Sequence, residues 1–301
     1  MRPDRPSLTA RVIARGVVFA AGDRRLREIL PPDAVELDSR LLLEAGVVKP
    51  WMLRLYRRPW YRSFFAWVVR NSATGQLVTL PVRKRFMDDE ARRAIEGGAR
   101  QLLVVGAGFD TLALRIAQRY PEVECYEIDH PATQRVKRLA LESLEIDRPN
   151  LHLVALDLAS TTLPDALRQT PGWRKEAVSV VAAEGLLCYL DESEVTRLLD
   201  GVRSSIARGS TLLLSHMRTD ENGDIVFGRH ARLMKAALEA IGEPVKWAIA
   251  QPALGGFLAA HGYALVRSPT PDELRARYLE PVGLGHEVVG HIELMAVAKV
   301  A

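Results

Sequence analysis

Three apolar runs in this chain each end on a carboxylate: Asp129 after Cys-Tyr-Glu-Ile, Asp157 after Leu-Val-Ala-Leu, and Glu184 after Val-Val-Ala-Ala. An acid in such a place is costly to desolvate unless a cation or hydrogen-bond donors meet it. If the runs are parallel strands, the acids lie where open α/β sheets bind their ligands. Ahead of Asp129 stands Gly106-Ala107-Gly108, whose glycines can turn with positive φ and let a ligand lie against bare backbone. Asp129 follows Gly108 by 21 positions (129 − 108), the interval at which a carboxylate takes the ribose hydroxyls of a nucleotide-bearing cofactor. Upstream, Arg83-Lys84-Arg85 offers a guanidinium fork of the kind that holds a free amino-acid carboxylate. Each feature has a plainer reading. Gly-x-Gly is also a structural turn, the basic cluster is also surface charge, and Asp157 could cap a helix starting near Leu163.

These residues need a frame. The run Leu102 to Val105 is too short for a helix and stops at the glycines, which predicts a buried parallel strand. A helix carrying Leu112, Leu114, Ile116 and Ala117 follows, its free N–H groups facing the turn. Further strands are expected over 123–128, 151–156, 177–183 and 211–216, with 263–266 and 291–300 as a terminal hairpin. Dinucleotide folds place a small residue three positions after the second glycine. Here that residue is Thr111, so no diphosphate cradle is offered.

With GAGFDT and ALR in place, then EIDHP, then AEGLLCYL at 183–190, and PVRKRFMDD at 81–89 upstream, the chain resembles the leucine carboxyl methyltransferase family of S-adenosylmethionine-dependent O-methyltransferases, including its bacterial, polyketide-type branch. The resemblance implies a class I methyltransferase sheet of seven strands, the last antiparallel, with S-adenosylmethionine at the Gly106, Ala107 and Gly108 turn. It further implies that Arg83 takes the cofactor's methionine carboxylate and that Asp129 takes the ribose. Asp157 and Leu158 would contact adenine, Glu184 would lie beside the methionine half, and Tyr189 would border the acceptor. Leu112 and Leu114 depart from the Arg and aromatic of many bacterial relatives, which bears on acceptor size and polarity.

Residues 1–95 are expected to form a helical cap and 96–301 the cofactor-binding core. Residues 9–30 read as one helix, ended by Pro31-Pro32. Seven of the chain's nineteen aromatic residues (7 Phe, 5 Trp, 7 Tyr) fall between Trp51 and Trp67. They form either a face packed on the core or a lid over the acceptor, with Pro59 dividing the stretch.

Composition narrows the function classes. The 41 basic residues are scattered and nearly matched by 37 acids, so no nucleic-acid surface is expected. Cys125 and Cys188 sit in apolar runs and predict buried thiols in a reducing compartment. No run of eighteen apolar residues occurs, so no membrane partner and a cytoplasmic location are expected. His286 and His291 lack a ligand set for a metal.

The expected activity is methyl transfer to a carboxylate or hydroxyl of a small-molecule acceptor. A carboxylate is already ionised at neutral pH and needs no base, whereas a hydroxyl needs one, and His216 at a strand end is the candidate. Alternatives are methylation of a protein C-terminus, a nicotinamide-dependent oxidoreductase disfavoured by Thr111, and a non-catalytic cofactor-binding protein. Oligomeric state is left open.

Overall fold

The computed structural model describes residues 7–72, 75–157, 161–227 and 231–301. Seven strands form one sheet: β1 Gln101–Val105, β2 Glu124–Asp129, β3 Leu151–Ala155, β4 Ser179–Ala183, β5 Thr211–Met217, β6 Tyr263–Arg267 and β7 Glu293–Val300. Their order is β3-β2-β1-β4-β5-β7-β6. β7 runs antiparallel between β5 and β6, and the other pairings are parallel. The expected seven-stranded α/β sheet with an antiparallel β7 is therefore present.

Before β1 come α1 Leu8–Ala21, α2 Arg24–Ile29, α3 Ala34–Glu44, α4 Pro50–Tyr56, α5 Pro59–Ser72 and α6 Gln76–Glu96. After it come α7 Leu112–Arg119, α8 Pro131–Ser143, α9 Leu163–Gln169, α10 Glu192–Ser205, α11 Ala231–Ala240 and α12 Gln251–Ala260. Helices cover both sheet faces, which is why β1 and β4 are buried at every residue and read as unbroken apolar runs. On one face, Val78, Val82, Phe86, Met87, Ala91 and Ile95 of α6 pack on Leu102, Val104, Val180 and Ala182. On the other, Leu198, Leu199, Leu254 and Leu258 of α10 and α12 meet Leu103, Val105, Val181 and Leu212. The strand period of two sends alternate residues to opposite faces, and each large side chain so buried contributes about 1.5–3 kcal/mol.

Several sequence expectations need correction. Residues 9–30 are not one helix: α1 ends at Ala21, and Asp23 starts α2 by accepting from the N–H groups of Arg25 and Leu26. Strands β6 and β7 pair antiparallel as expected, but no tight turn joins them: residues 268–292 lie between and include helical turns over Pro271–Leu274 and Arg275–Leu279. Pro59 does divide its stretch, standing at the start of α5, where a missing N–H leaves no hydrogen bond unmade. The aromatic residues split two ways. Tyr56, Tyr61 and Phe65 gather around Phe19 of α1, while Trp51, Trp60, Phe64 and Trp67 are 56–65% exposed.

Among the described residues, no helix is long and apolar enough to cross a membrane. Cys125 and Cys188 are free, buried thiols, and burial pushes both of their pKa values up.

Candidate active site

The turn after β1 is where the sheet, the glycines and the acids converge. Gly106 (φ +70°) and Gly108 (φ +54°) hold left-handed backbone, a region L side chains enter only at about 1–2 kcal/mol. A Cβ on Gly106 would stand 3.0 Å from Leu186 Cδ1, and one on Gly108 would stand 3.4 Å from Ala10 Cβ. Gly106 N–H donates to Ile128 O at 2.8 Å, which ties the turn to β2. Gly108 N–H then donates to Asp129 Oδ2 at 2.6 Å, and His130 N–H donates to Asp129 Oδ1 at 2.7 Å. Burial raises the Asp129 pKa, and these two N–H groups oppose the rise. The acid is thereby clamped at the tip of β2 against the second glycine.

α6 supplies the cations. Its face toward β4, β5 and β7 carries Arg83 and Lys84. Arg83 Nε donates to Glu184 Oε1 at 2.7 Å, and its Nη1 donates to Glu293 of β7. Lys84 Nζ pairs with Asp110 and, at 2.9 Å, with Glu184. All five side chains are 15% exposed or less. Burial works against the charge on Asp110, but Lys84 and Arg115 hold its pKa well below the usual carboxylate range. The same geometry raises Arg83 and Lys84 despite burial. Three carboxylates against two cations leave this cluster one formal negative charge in excess.

A second layer braces the turn from beneath. Lys137 of α8 is fully buried; its Nζ donates to the carbonyl of Asp110 and, at 2.6 Å, to Glu127 Oε2. Burial raises the Glu127 pKa, with Lys137 opposing. Thr111 Oγ1 donates to Asp38 of α3 at 2.5 Å, and Arg115 of α7 pairs with Asp88 of α6. Burial and repulsion from Asp110 raise Asp38 to about 6, against Arg115, Thr111 and Lys84.

The structure thus gathers Arg83, Gly106, Ala107, Gly108, Asp129 and Glu184 around one edge of the sheet. Asp157 follows β3 at the same edge, beside β2, where Asp129 is in register with Ala155. It is not a helix cap, because Thr162 caps α9. Leu158 lies outside the described residues. Arg83 and Glu184, expected as separate cofactor contacts, are partners of each other. His216 is 1% exposed, with Nδ1 3.3 Å from Met217 O, and burial lowers its pKa. Tyr189 is half-buried beside Thr9, and burial pushes its hydroxyl far up. No hydrogen bond among the described residues links His216 or Tyr189 to the cluster.

Sequence reading missed Glu293, Asp110, Lys137, Glu127, Asp38 and Arg115. Asp110, Arg115 and Glu127 lie inside the quoted stretches GAGFDT, ALR and EIDHP and could have been found there. Glu293, Lys137 and Asp38 come from segments whose spacing to the turn says nothing about contact.

Strand order, antiparallel β7 and a glycine turn facing strand-end acids define a class I S-adenosylmethionine-dependent methyltransferase fold. Solved structures share it: a DUF574 family protein from Streptomyces avermitilis aligns with TM-score 0.58 at 14% identity, covering 87% of this chain and 97% of that one. A Thermobifida fusca protein described as a "putative methyltransferase" aligns with TM-score 0.54 at 14% identity, covering 87% and 94%. At these identities the likeness shows the fold alone. The family model of leucine carboxyl methyltransferase matches residues 44–203, just over half of the chain, and the chain belongs to that family. A Mycobacterium tuberculosis protein named "Putative S-adenosyl-L-methionine-dependent methyltransferase" is 35% identical over 164 residues, covering 51% of this chain and 46% of the relative. A Bacillus subtilis protein of the same description is 27% identical over 180 residues, covering 59% and 58%. The matches span only about half the length of these relatives.

Proposed function

We propose that this protein is an S-adenosylmethionine-dependent O-methyltransferase acting on the carboxylate of a small-molecule acceptor. The observation that carries the reading is Asp129, held at the glycine turn by two backbone N–H groups 2.6 and 2.7 Å away, in a chain of the leucine carboxyl methyltransferase family. Its carboxylate keeps acceptor capacity for two ribose hydroxyls.

The charge of the site suits this cofactor. S-adenosylmethionine supplies a methyl group on a sulfonium, and with its ammonium and carboxylate it carries one net positive charge, opposite in sign to the excess of the Arg83–Lys84–Asp110–Glu184–Glu293 cluster. Glu184 and Asp110 would receive the ammonium, and Arg83 is the cation that the methionine carboxylate would meet. Pairing with Glu184 and Glu293 fixes the Arg83 guanidinium in advance, so little rotamer freedom is lost on binding. Asp157 would take the adenine amine. The bare backbone at 106–108 admits the ligand closely, and helix α1, with Ala10 near Gly108, helps exclude water.

The protein's part in catalysis is then mostly placement. A carboxylate acceptor is ionised at neutral pH and requires no proton removal, so orientation and a dry site supply the rate. The burial of His216 favours this acceptor over a hydroxyl: Nδ1 is held at Met217 O, and Nε2, the nitrogen left to act as a base, is itself buried away from solvent. The test is an acceptor screen with labelled cofactor across small carboxylic acids, phenols and C-terminal peptides. Turnover of acids with a rate flat from pH 6 to 8 supports the proposal. Turnover of phenols alone, lost in His216→Ala, supports hydroxyl chemistry in its place.

A further inference from the structure

The aromatic stretch that the sequence singled out is only partly absorbed by the core. On α5, Trp60, Phe64 and Trp67 follow one another at i, i+4 and i+7 and so share a face, with Phe64 and Trp67 stacked at 6.5 Å between ring centroids. All three are more than half exposed, as is Trp51 on α4. The opposite face of α5 is spoken for, since Tyr61 and Phe65 pack on Phe19. Four large rings held in water on a short helical pair mark an interaction surface.

Charge identifies the partner. No Asp or Glu occurs from residue 45 to 87. Lys49, Arg54, Arg57 and Arg58 border the exposed rings and are themselves exposed. None of the ion pairs among the described residues involves these four. By contrast, the inward-facing Arg62 is engaged with Asp23 and with the carbonyl of Phe19. A second copy of this face is a poor occupant, because a two-fold contact would set the same unpaired cations against each other. Tryptophan with flanking arginine is instead the composition of a helix lying in a lipid headgroup layer, rings at the acyl boundary and cations on phosphate.

We propose that α4 and α5 dock the protein on an anionic lipid bilayer. The chain need not span a membrane for this. The contact is peripheral, with α5, roughly 21 Å long for its 14 residues, lying parallel to the surface. It depends on neither the cofactor nor the acceptor proposed above.

The experiment is co-sedimentation of the full chain with phosphatidylglycerol/phosphatidylcholine vesicles and with pure phosphatidylcholine vesicles, at low and at physiological salt. Tryptophan emission is read in parallel, since three of the five tryptophans lie on this face. The expected result is binding to the anionic vesicles with a blue shift, weakened by salt. Trp60→Ser/Phe64→Ser/Trp67→Ser should weaken it more than about tenfold. Arg54→Gln/Arg57→Gln/Arg58→Gln should weaken it by about fivefold for each cation removed. Thermal unfolding of both variants should match the parent, because the side chains are exposed. Absence of sedimentation with anionic vesicles overturns the proposal. So does equal binding to both vesicle types with no effect of the arginine changes. A dimer that the serine variant dissolves, without vesicle binding, assigns the face to a second copy instead.

Discussion

Replacing Arg83 by Met isolates the feature on which the geometry of the site most depends. The substitution keeps bulk on α6 and removes the only cation hydrogen-bonded to Glu293 among the described residues, and the Glu293 side chain is 6% exposed. Taking one partner from a buried ion pair typically costs about 3–5 kcal/mol, since the remaining charge stays desolvated. Glu184 is less affected, because Lys84 Nζ still stands 2.9 Å away. The expected loss therefore lies toward the lower end, about 3–4 kcal/mol. At the roughly 2–4 °C per kcal/mol typical of large domains, the midpoint should fall by about 6–16 °C. Thermal unfolding followed by far-ultraviolet circular dichroism measures the midpoint, and urea unfolding measures the free-energy loss. Adding Glu293→Gln should restore part of the loss, because an amide is far cheaper to bury than an unpaired carboxylate. A loss within the 1 kcal/mol expected of an exposed pair, or no recovery in the double variant, refutes the reasoning.

Other outcomes follow from single contacts. Asp38, raised to about 6 by burial and by Asp110, binds its proton more tightly in the folded state, so its contribution is complete below about pH 4 and disappears as pH rises through about 6. Asp38→Asn should remove up to about 3 kcal/mol of that decline, seen as a flatter stability profile between pH 4 and 7; an unchanged profile contradicts the assignment. Gly106→Ala, at φ +70° and facing Leu186, should cost about 1–2 kcal/mol and weaken cofactor binding more than that strain alone explains. Leu186→Ala in the same chain should relieve the contact but not the backbone. Glu243 accepts from Ser7 Oγ and from the N–H groups of Leu8 and Thr9. Glu243→Ala should therefore cost about 1 kcal/mol, as for a lost N-cap, and speed amide exchange in α1; unaltered exchange there would show that the cap is idle.

What the sequence made legible was local. The run Gln101–Val105, the two glycines and Asp129 lie within thirty residues, and each step follows from chain neighbours: a strand buried on both faces, a turn that needs positive φ, an acid at a strand tip. Contacts between distant segments were not legible. Glu293 ends up against Arg83 at a separation of 210 residues, and nothing in the alternation of 291–300 distinguishes it from a surface acid. Lys137 reads as the polar face of a helix, yet it is fully buried because Glu127 and the Asp110 carbonyl satisfy its ammonium. The break at Gly22 was overlooked for a related reason. Apolar periodicity continues across it, and only the capping by Asp23 shows that the chain restarts.

The central claim is that the edge formed by Gly106, Gly108, Asp129, Glu184 and Arg83 holds S-adenosylmethionine. Calorimetric titration of the purified protein with S-adenosylmethionine, its demethylated product and NADH, each repeated on Asp129→Ala, tests it most directly. Saturable binding of the first two, lost in the variant, with no heat from NADH, is the predicted result. Binding of NADH alone, or no binding of either S-adenosyl ligand to a protein that unfolds cooperatively, contradicts it.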